Sequence, residues 1–508
     1  MNKTVAPALA TTAIFTALLW GHQADSGTVP TPSPALPPLC AAELGPELDE
    51  ILDRPELQRA RTGVLIQTQA TTEEDITTLY ARDTDQYFIP ASSTKLLIAA
   101  AALQQLGPTF RVQTTIYRLP VTGDQTILKV VGQGDPSLRD QDLQRLARQL
   151  PHQGIGAIDQ LLGDDSRLGP PQIHPTWEWV DVQQTYGAPI NSLILNQNAL
   201  EFTLWPQALG TPLKIVWSDP RDVQDWQVFN QSLSVAPSEP EFLRFGQDFN
   251  RKHLYIEGQL RVGAAPEPTG VAVSQPGKIF LEKLRRALAA EQIPVQTTRL
   301  LSISEEESLG QIVATLPSPP LTHLLVESNQ ESNNLYAEVL LRWLGLHGLP
   351  FGHKALAETP LDRGLQQLTA TLTALGVDPD SHTLVDGSGL SRHNQMSPRA
   401  IVQTLQGMGR SPYAETYRQS LALGGIRGTL QRRFQNTAAQ GRLWGKTGTL
   451  TGISALSGYL HPPHYRPLVF SILINDASQS AFQLGQIVDA IVLALTRLQP
   501  CEPGDVEL

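Results

Sequence analysis

The sequence predicts an α+β protein. The two ends of the chain build one antiparallel sheet flanked by helices, and large β-rich domains are inserted between them. Three observations carry this. Long strand-like and helix-like runs lie before Phe110 and again after Ser332. From about Phe110 to about Ser302 the texture changes to short β-like runs separated by turn clusters. At 508 residues the chain also exceeds what one hydrophobic core usually serves, so two or three domains are expected.

Taken in order, Lys3 and the apolar run from Val5 to Gly21 read as a secretory signal over residues 1–25, with an uncleaved membrane anchor as the alternative. The prolines from Pro30 to Pro38 make residues 26–40 an extended linker. Thr62–Thr68 and Ile76–Ala81 read as paired strands. A helix then begins near Ser92 and runs through Leu103; it is apolar nearly all round, so it is expected to be buried. The middle holds the strand candidates Val112–Tyr117, Ile127–Val131, Glu201–Leu204, Leu213–Trp217 and Leu254–Leu260. Leu335–Leu344 is helical, Gly441–Gly448, Gly452–Leu460 and Leu468–Asn475 are strands, and an amphipathic helix over about 479–498 closes the chain. The two cysteines, Cys40 and Cys501, sit near the ends and are candidates for a disulfide in an exported protein.

Composition removes some functions. A net charge of −11 with no basic stripe argues against nucleic acid as partner. The 11 histidines show no metal-ligand spacing. Gly132-Gln133-Gly134-Asp135 lacks the third glycine of a phosphate loop. No Gly-x-Ser-x-Gly elbow is present, although a Ser-His-Asp triad built from distant residues stays open.

What remains is an ordered set of three short motifs: Ser92-Ser93-Thr94-Lys95, Ser332-Asn333-Asn334 and Lys446-Thr447-Gly448. Lysine occurs only nine times, so two of the nine falling in these motifs is informative. Ser92 and Lys95 are three apart on one helical face, which makes Ser92 the candidate nucleophile and Lys95 its base. Lys95 can accept a proton only when neutral; burial favours that, and so does a second cation, for which Lys446 is the candidate. Ser332 could pass a proton to a leaving amine, and Asn334 suits a substrate amide; a plain N-cap role is the alternative for Ser332. Lys446 and Thr447 form a natural clamp for a carboxylate. Gly448 leaves room for close approach, and the N–H groups of Ser92 and Thr449 are candidate oxyanion donors.

These motifs resemble those of the class C low-molecular-mass penicillin-binding proteins, D-alanyl-D-alanine carboxypeptidase/endopeptidases of the bacterial periplasm. Further similar stretches are Gly134-Asp135-Pro136, Tyr186-Gly187-Ala188-Pro189, Asp386 to Arg392 and Arg427-Gly428-Thr429-Leu430. The resemblance implies a transpeptidase-like domain I over residues 41–112 and 303–508, a domain II inserted over 113–302, and a domain III nested in it at about 198–265. It implies an acyl-enzyme on Ser92, peptidoglycan stem peptides as substrate, β-lactams as inhibitors, loose association with murein or membrane, and no cofactor or metal. Asp181 and Arg392 are the residues it suggests for side-chain recognition. One departure is that Val180 stands in Trp177-Glu178-Trp179-Val180-Asp181 where relatives often carry an acid. A β-lactamase or esterase of the same chemistry, and a peptidoglycan-binding protein with a vestigial site, are the rival readings.

Overall fold

The computed structural model describes residues 37–301, 310–349 and 358–501. The expected signal, most of the proline linker and the acidic tail lie outside the described residues. In chain order, the elements that build and position the site begin with β1 (Arg61–Thr68), β2 (Thr78–Arg82), α1 (Thr94–Leu106), β3 (Gln113–Arg118), β4 (Ile127–Val131), α2 (Asp140–Ala147) and β5 (Ile158–Asp164). They continue with α3 (Pro276–Ala290), β6 (Val295–Leu300), β7 (Gln311–Pro317), α4 (Asn334–Leu346), α5 (Pro360–Ala374) and α6 (Pro398–Arg410). The last are β8 (Ala422–Leu423), β9 (Leu443–Leu450), β10 (Ile453–Leu460), β11 (Leu468–Asn475) and α7 (Ala481–Thr496).

Both ends of the chain meet in one six-stranded antiparallel sheet of order β8-β9-β10-β11-β1-β2. Strand side chains alternate between faces, and here both faces are covered. Leu65, Ala455, Val469 and Leu473 pack with α1, α4 and α6. Val64, Ile66, Leu456, Phe470 and Ile472 pack with α7 and the helix Leu44–Leu52. Burial on both sides is why β1, β10 and β11 read as near-continuous apolar runs. Helix α1 is buried from Thr94 to Leu103 and stops at Gly107, whose φ of 77° suits only glycine. The N-terminal edge is tied to the C-terminal edge: Leu39–Cys40 pairs in parallel with Leu498–Gln499, and Cys40 is disulfide-bonded to Cys501.

Residues 113–317 supply a second, five-stranded sheet of order β6-β5-β4-β3-β7. Helices α2 and α3 lie on it, with Leu143, Leu146, Phe280 and Leu284 packed against Ile116, Leu128, Val130 and Leu161. The sequence texture showed neither helix. Its edge strand β7 also lies past residue 302, where the insertion was expected to end. The described residues form two compact units, 200–271 and the rest. The smaller unit holds a three-stranded sheet (Glu267–Ala272, Ala199–Trp205, Lys214–Trp217) and a four-stranded one centred on His253–Arg261. Phe202 joins their aromatic core, 4.9 Å from Trp217 and 5.7 Å from Phe245.

Candidate active site

The site grows from a strained turn. Pro90 leads into a 3-10 turn over Ala91–Ser93 that runs straight into α1. Ala91 sits in the left-handed region at φ 47°, a conformation that costs a non-glycine residue on the order of 1 kcal/mol or more and persists only when its surroundings hold it. Two close approaches hold it here. A Cβ on Gly448 of β9 would lie 2.8 Å from the Pro90 carbonyl oxygen, and one on Gly389 would lie 1.8 Å from that of Ala91. Only glycines let the strand and the 386–391 loop press this closely on the turn.

Ser92 is half-buried at the start of this turn, and Lys95, one turn on, is completely buried. The Lys95 Nζ lies 2.8 Å from Ser92 Oγ, 2.7 Å from Asn334 Oδ1 and 2.7 Å from the Ser388 carbonyl oxygen. Asn334 Nδ2 donates to the Tyr186 carbonyl at 2.9 Å, which fixes the amide so that its oxygen faces the lysine. Two of the three lysine partners can therefore only accept. A neutral amine has two N–H bonds for them, and its lone pair is left pointing at the Ser92 hydroxyl. Burial supplies the neutrality: it lowers Lys95 from 10.5 to about 7, against the opposing pull of Asp386 and Glu338.

Across the site, Lys446 of β9 is also completely buried and donates to Ser332 Oγ at 2.8 Å and to the Thr447 carbonyl at 2.8 Å. Its ammonium is pushed well below the ordinary lysine value, first by burial and then by Lys95, with Glu331 opposing. The sequence pointed to Lys446 as a cation that keeps Lys95 neutral. Burial, the other expected cause, is the main one at Lys95, and the repulsion between the two lysines is felt at Lys446. Ser332, like Ala91, takes a left-handed backbone, φ 58°. It is not the helix cap: Asn333 is, accepting from the Tyr336 N–H while its amide donates to Gln197 at 2.8 Å. Asn334 begins α4; its oxygen faces Lys95, and one of its two amide N–H bonds goes to the Tyr186 carbonyl. The Thr447 hydroxyl bonds that of Thr429 at 2.8 Å, and Thr449 lies further along β9, opposite Ser454.

Asp181 and Arg392 lie beside this centre. Asp181 accepts from the Tyr186 hydroxyl at 3.1 Å, and burial raises its carboxyl while Arg392 lowers it. Arg392 pairs with Glu178 at 2.9 Å. The residues that sequence reasoning missed are the ones behind Lys95. Glu338 and Asp386, both fully buried, accept the backbone N–H groups of the 387–391 loop. Asp386 stood inside a stretch noted for resemblance, but nothing in the spacing of either residue assigns it a task.

A sheet-and-helix scaffold that sets a half-buried serine against a buried lysine, opposite Lys446 on an edge-proximal strand and the loop serine it touches, defines an acyl-transfer enzyme of the penicillin-recognising serine type. The chain belongs to the D-Ala-D-Ala carboxypeptidase 3 (S13) family, whose sequence pattern matches residues 44–498. It is a serine-type D-Ala-D-Ala carboxypeptidase that acts on peptidoglycan. The D-alanyl-D-alanine carboxypeptidase of Actinomadura sp. (strain R39) is 31% identical over 481 residues, covering 91% of this chain and 87% of the relative. Penicillin-sensitive carboxypeptidase A of Dictyostelium discoideum is 26% identical over 467 residues, covering 86% of this chain and 87% of its own. The crystal structure of penicillin binding protein 4 from Haemophilus influenzae has the same fold: TM-score 0.73 at 22% identity, over 88% of this chain and 99% of that one.

Proposed function

We propose that the protein works in the periplasm through an acyl-enzyme on Ser92, with the roles divided as follows. Neutral Lys95 takes the Ser92 proton as Oγ attacks the carbonyl carbon of the penultimate D-alanine. The N–H groups of Ser92 and Thr449 receive the oxyanion; the first turn of a helix leaves N–H groups without intrahelical partners, which supports the first of these. The C–N bond then breaks. The Ser332 hydroxyl gives its proton to the departing amine and is resupplied from Lys446, whose Nζ it touches. Lys446 and Thr447, with the Thr429 hydroxyl behind, grip the terminal carboxylate, whose charge draws a proton onto Lys446. The proton that Lys95 took from Ser92 passes on to Lys446, replacing the one given to the amine through Ser332; Lys95, neutral again, is then the base as water releases the acyl group. Asp181 and Arg392 meet the side chain of the stem peptide. The transpeptidase-like parts (41–112 and 318–508) do this chemistry, and the insertion (expected over 113–302, with the nested 198–265, and extended here to 317 by β7) positions the enzyme on murein.

The observation that carries this reading is the 2.8 Å contact of Lys95 Nζ with Ser92 Oγ while its other two partners are acceptors only. Penicillin mimics the D-alanyl-D-alanine end, and penicillin binding protein 4 of Haemophilus influenzae has been solved complexed with a β-lactam. Intact-mass and peptide-mapping spectrometry after brief penicillin exposure tests the reading. A stable adduct on Ser92, abolished in Ser92→Ala, is expected. A folded protein that carries no adduct and leaves penicillin intact would overturn it.

A further inference from the structure

Behind Lys95 the backbone of residues 387–391 is gripped by two buried carboxylates. Glu338 Oε1 accepts the N–H groups of Gly387 and Ser388, each at 2.9 Å. Asp386 Oδ1 accepts the N–H of Gly389 at 2.8 Å, and its Oδ2 accepts that of Ser391 at 2.7 Å. The Gly389 N–H and the Ser388 carbonyl belong to the same peptide unit. One end of that unit is therefore bound to Asp386, and the other receives Lys95 Nζ at 2.7 Å. An N–H bonded to a carboxylate polarises its own carbonyl and makes it a stronger acceptor. The two peptide units before it are held by Glu338. Glu338 in turn is held from α4 by Arg342, whose NH1 lies 3.0 Å from its Oε2, both side chains being wholly buried.

We propose that Glu338 is a positioning residue of the acyl-transfer site: by holding the Gly387 and Ser388 N–H groups it aims the Ser388 carbonyl at Lys95, so that the amine's remaining lone pair faces Ser92. A loop that only filled space would need no buried ion pair beneath it. Replacing such a pair with apolar or neutral groups is often neutral or stabilising, so stability alone does not account for it. Glu338 has a second effect through its charge. The charged groups around Lys95 are Asp386 and Glu338, the latter with Arg342 beyond it, and Lys446 with Glu331 beyond it. Glu338 is one of the two anions that favour the ammonium form of Lys95.

The inference rests on Lys95 as the base, and the experiment separates the two. Penicillin acylation rate is measured against pH in the full chain, with thermal stability as a folding control. Glu338→Gln combined with Arg342→Met keeps an oxygen for the two N–H groups but removes both charges. Its high-pH plateau should stay within about threefold of the parent while the acid limb moves to lower pH by roughly one unit. Glu338→Leu combined with Arg342→Met also removes the acceptor, and its plateau should fall at least ~10-fold with penicillin affinity little changed. If both double variants fold and reproduce the parent profile, Glu338 is not a positioning residue. If the leucine variant does not fold, Glu338→Ala combined with Arg342→Met removes the same acceptor without adding a bulky side chain, and a parent-like plateau there overturns the proposal. A Lys95→Met protein that acylates with the parent's acid limb sinks the base assignment instead.

Discussion

Acylation should lose a factor of ten for each pH unit below neutrality, and Lys95 sets where that fall begins. An exposed lysine at 10.5 would be neutral in roughly 0.03% of molecules at pH 7; at about 7 it is neutral in roughly half. Burial thus raises the concentration of working base on the order of a thousandfold. The acylation rate constant for a chromogenic or fluorescent penicillin, followed by stopped flow from pH 5 to 9, should show an acid limb centred near pH 7 and about 1% of the plateau at pH 5. Folding stability should carry the same signature. The folded value lies below that of the unfolded chain, so between about pH 7 and 10 the unfolded state binds the extra proton and stability rises with pH. The slope contributed is at most about 1.4 kcal/mol per pH unit, and it should disappear in Lys95→Met. An acid limb centred above pH 9, or none at all, would refute the assignment of Lys95 as a buried neutral base.

Other expectations follow from single features. Gly448→Ala places a Cβ 2.8 Å from the Pro90 carbonyl and 3.2 Å from Ala91 Cβ, so β9 must move off the Ser92 turn; acylation should fall ~10- to 100-fold with a stability loss of about 1–3 kcal/mol, read by acylation kinetics and urea melts. Asp135 is buried and held up at about 6 by desolvation, so above pH 6 its charge opposes folding. Asp135→Asn keeps an acceptor for Ser137 and should stabilise by about 1–3 kcal/mol at pH 7.5 but by little at pH 4; equal effects at both pH values would count against it. Replacing Cys40 and Cys501 with serine should cost about 2–4 kcal/mol in denaturant unfolding while leaving penicillin acylation unchanged.

The strands and helices that sequence revealed are those whose pattern is strong over its whole length. β1, β10 and β11 are apolar on both faces, and α1 is apolar all round, so each is recognisable without a partner. The helices of the second sheet were hidden for opposite reasons. α2 is short, with Leu143 and Leu146 its only large apolar contacts; α3 opens on Pro276-Gly277, which reads as a turn. The motif residues were legible because Ser92 and Lys95, or Lys446 and Thr447, are neighbours in the chain. That Ser332 meets Lys446 across 114 positions agrees with the order of the motifs. Glu338 was not legible: its meaning comes from meeting Gly387 and Ser388 some 50 positions away, after both are buried. Nor could spacing tell that Asn333, rather than Ser332, caps α4, because any polar residue before an apolar run fits that position.

The pairing of β1 with β11 has a temporal side. A ribosome delivers the serine, its lysine and the first two strands early. Yet the edge of β1 that should carry β11 stays bare, and the Ile89 N–H waits for Asn475, 386 positions further on. Nothing local can substitute, since closing so long a loop is slow and is rewarded only once the last strands exist. The nucleophile turn, which β9 and the 386–391 loop must press into its strained shape, is therefore among the last parts to become correct. A chain interrupted anywhere before β11 carries the serine and the lysine of a hydrolase but not the means to use them, so the enzyme is silent until β11 has been made.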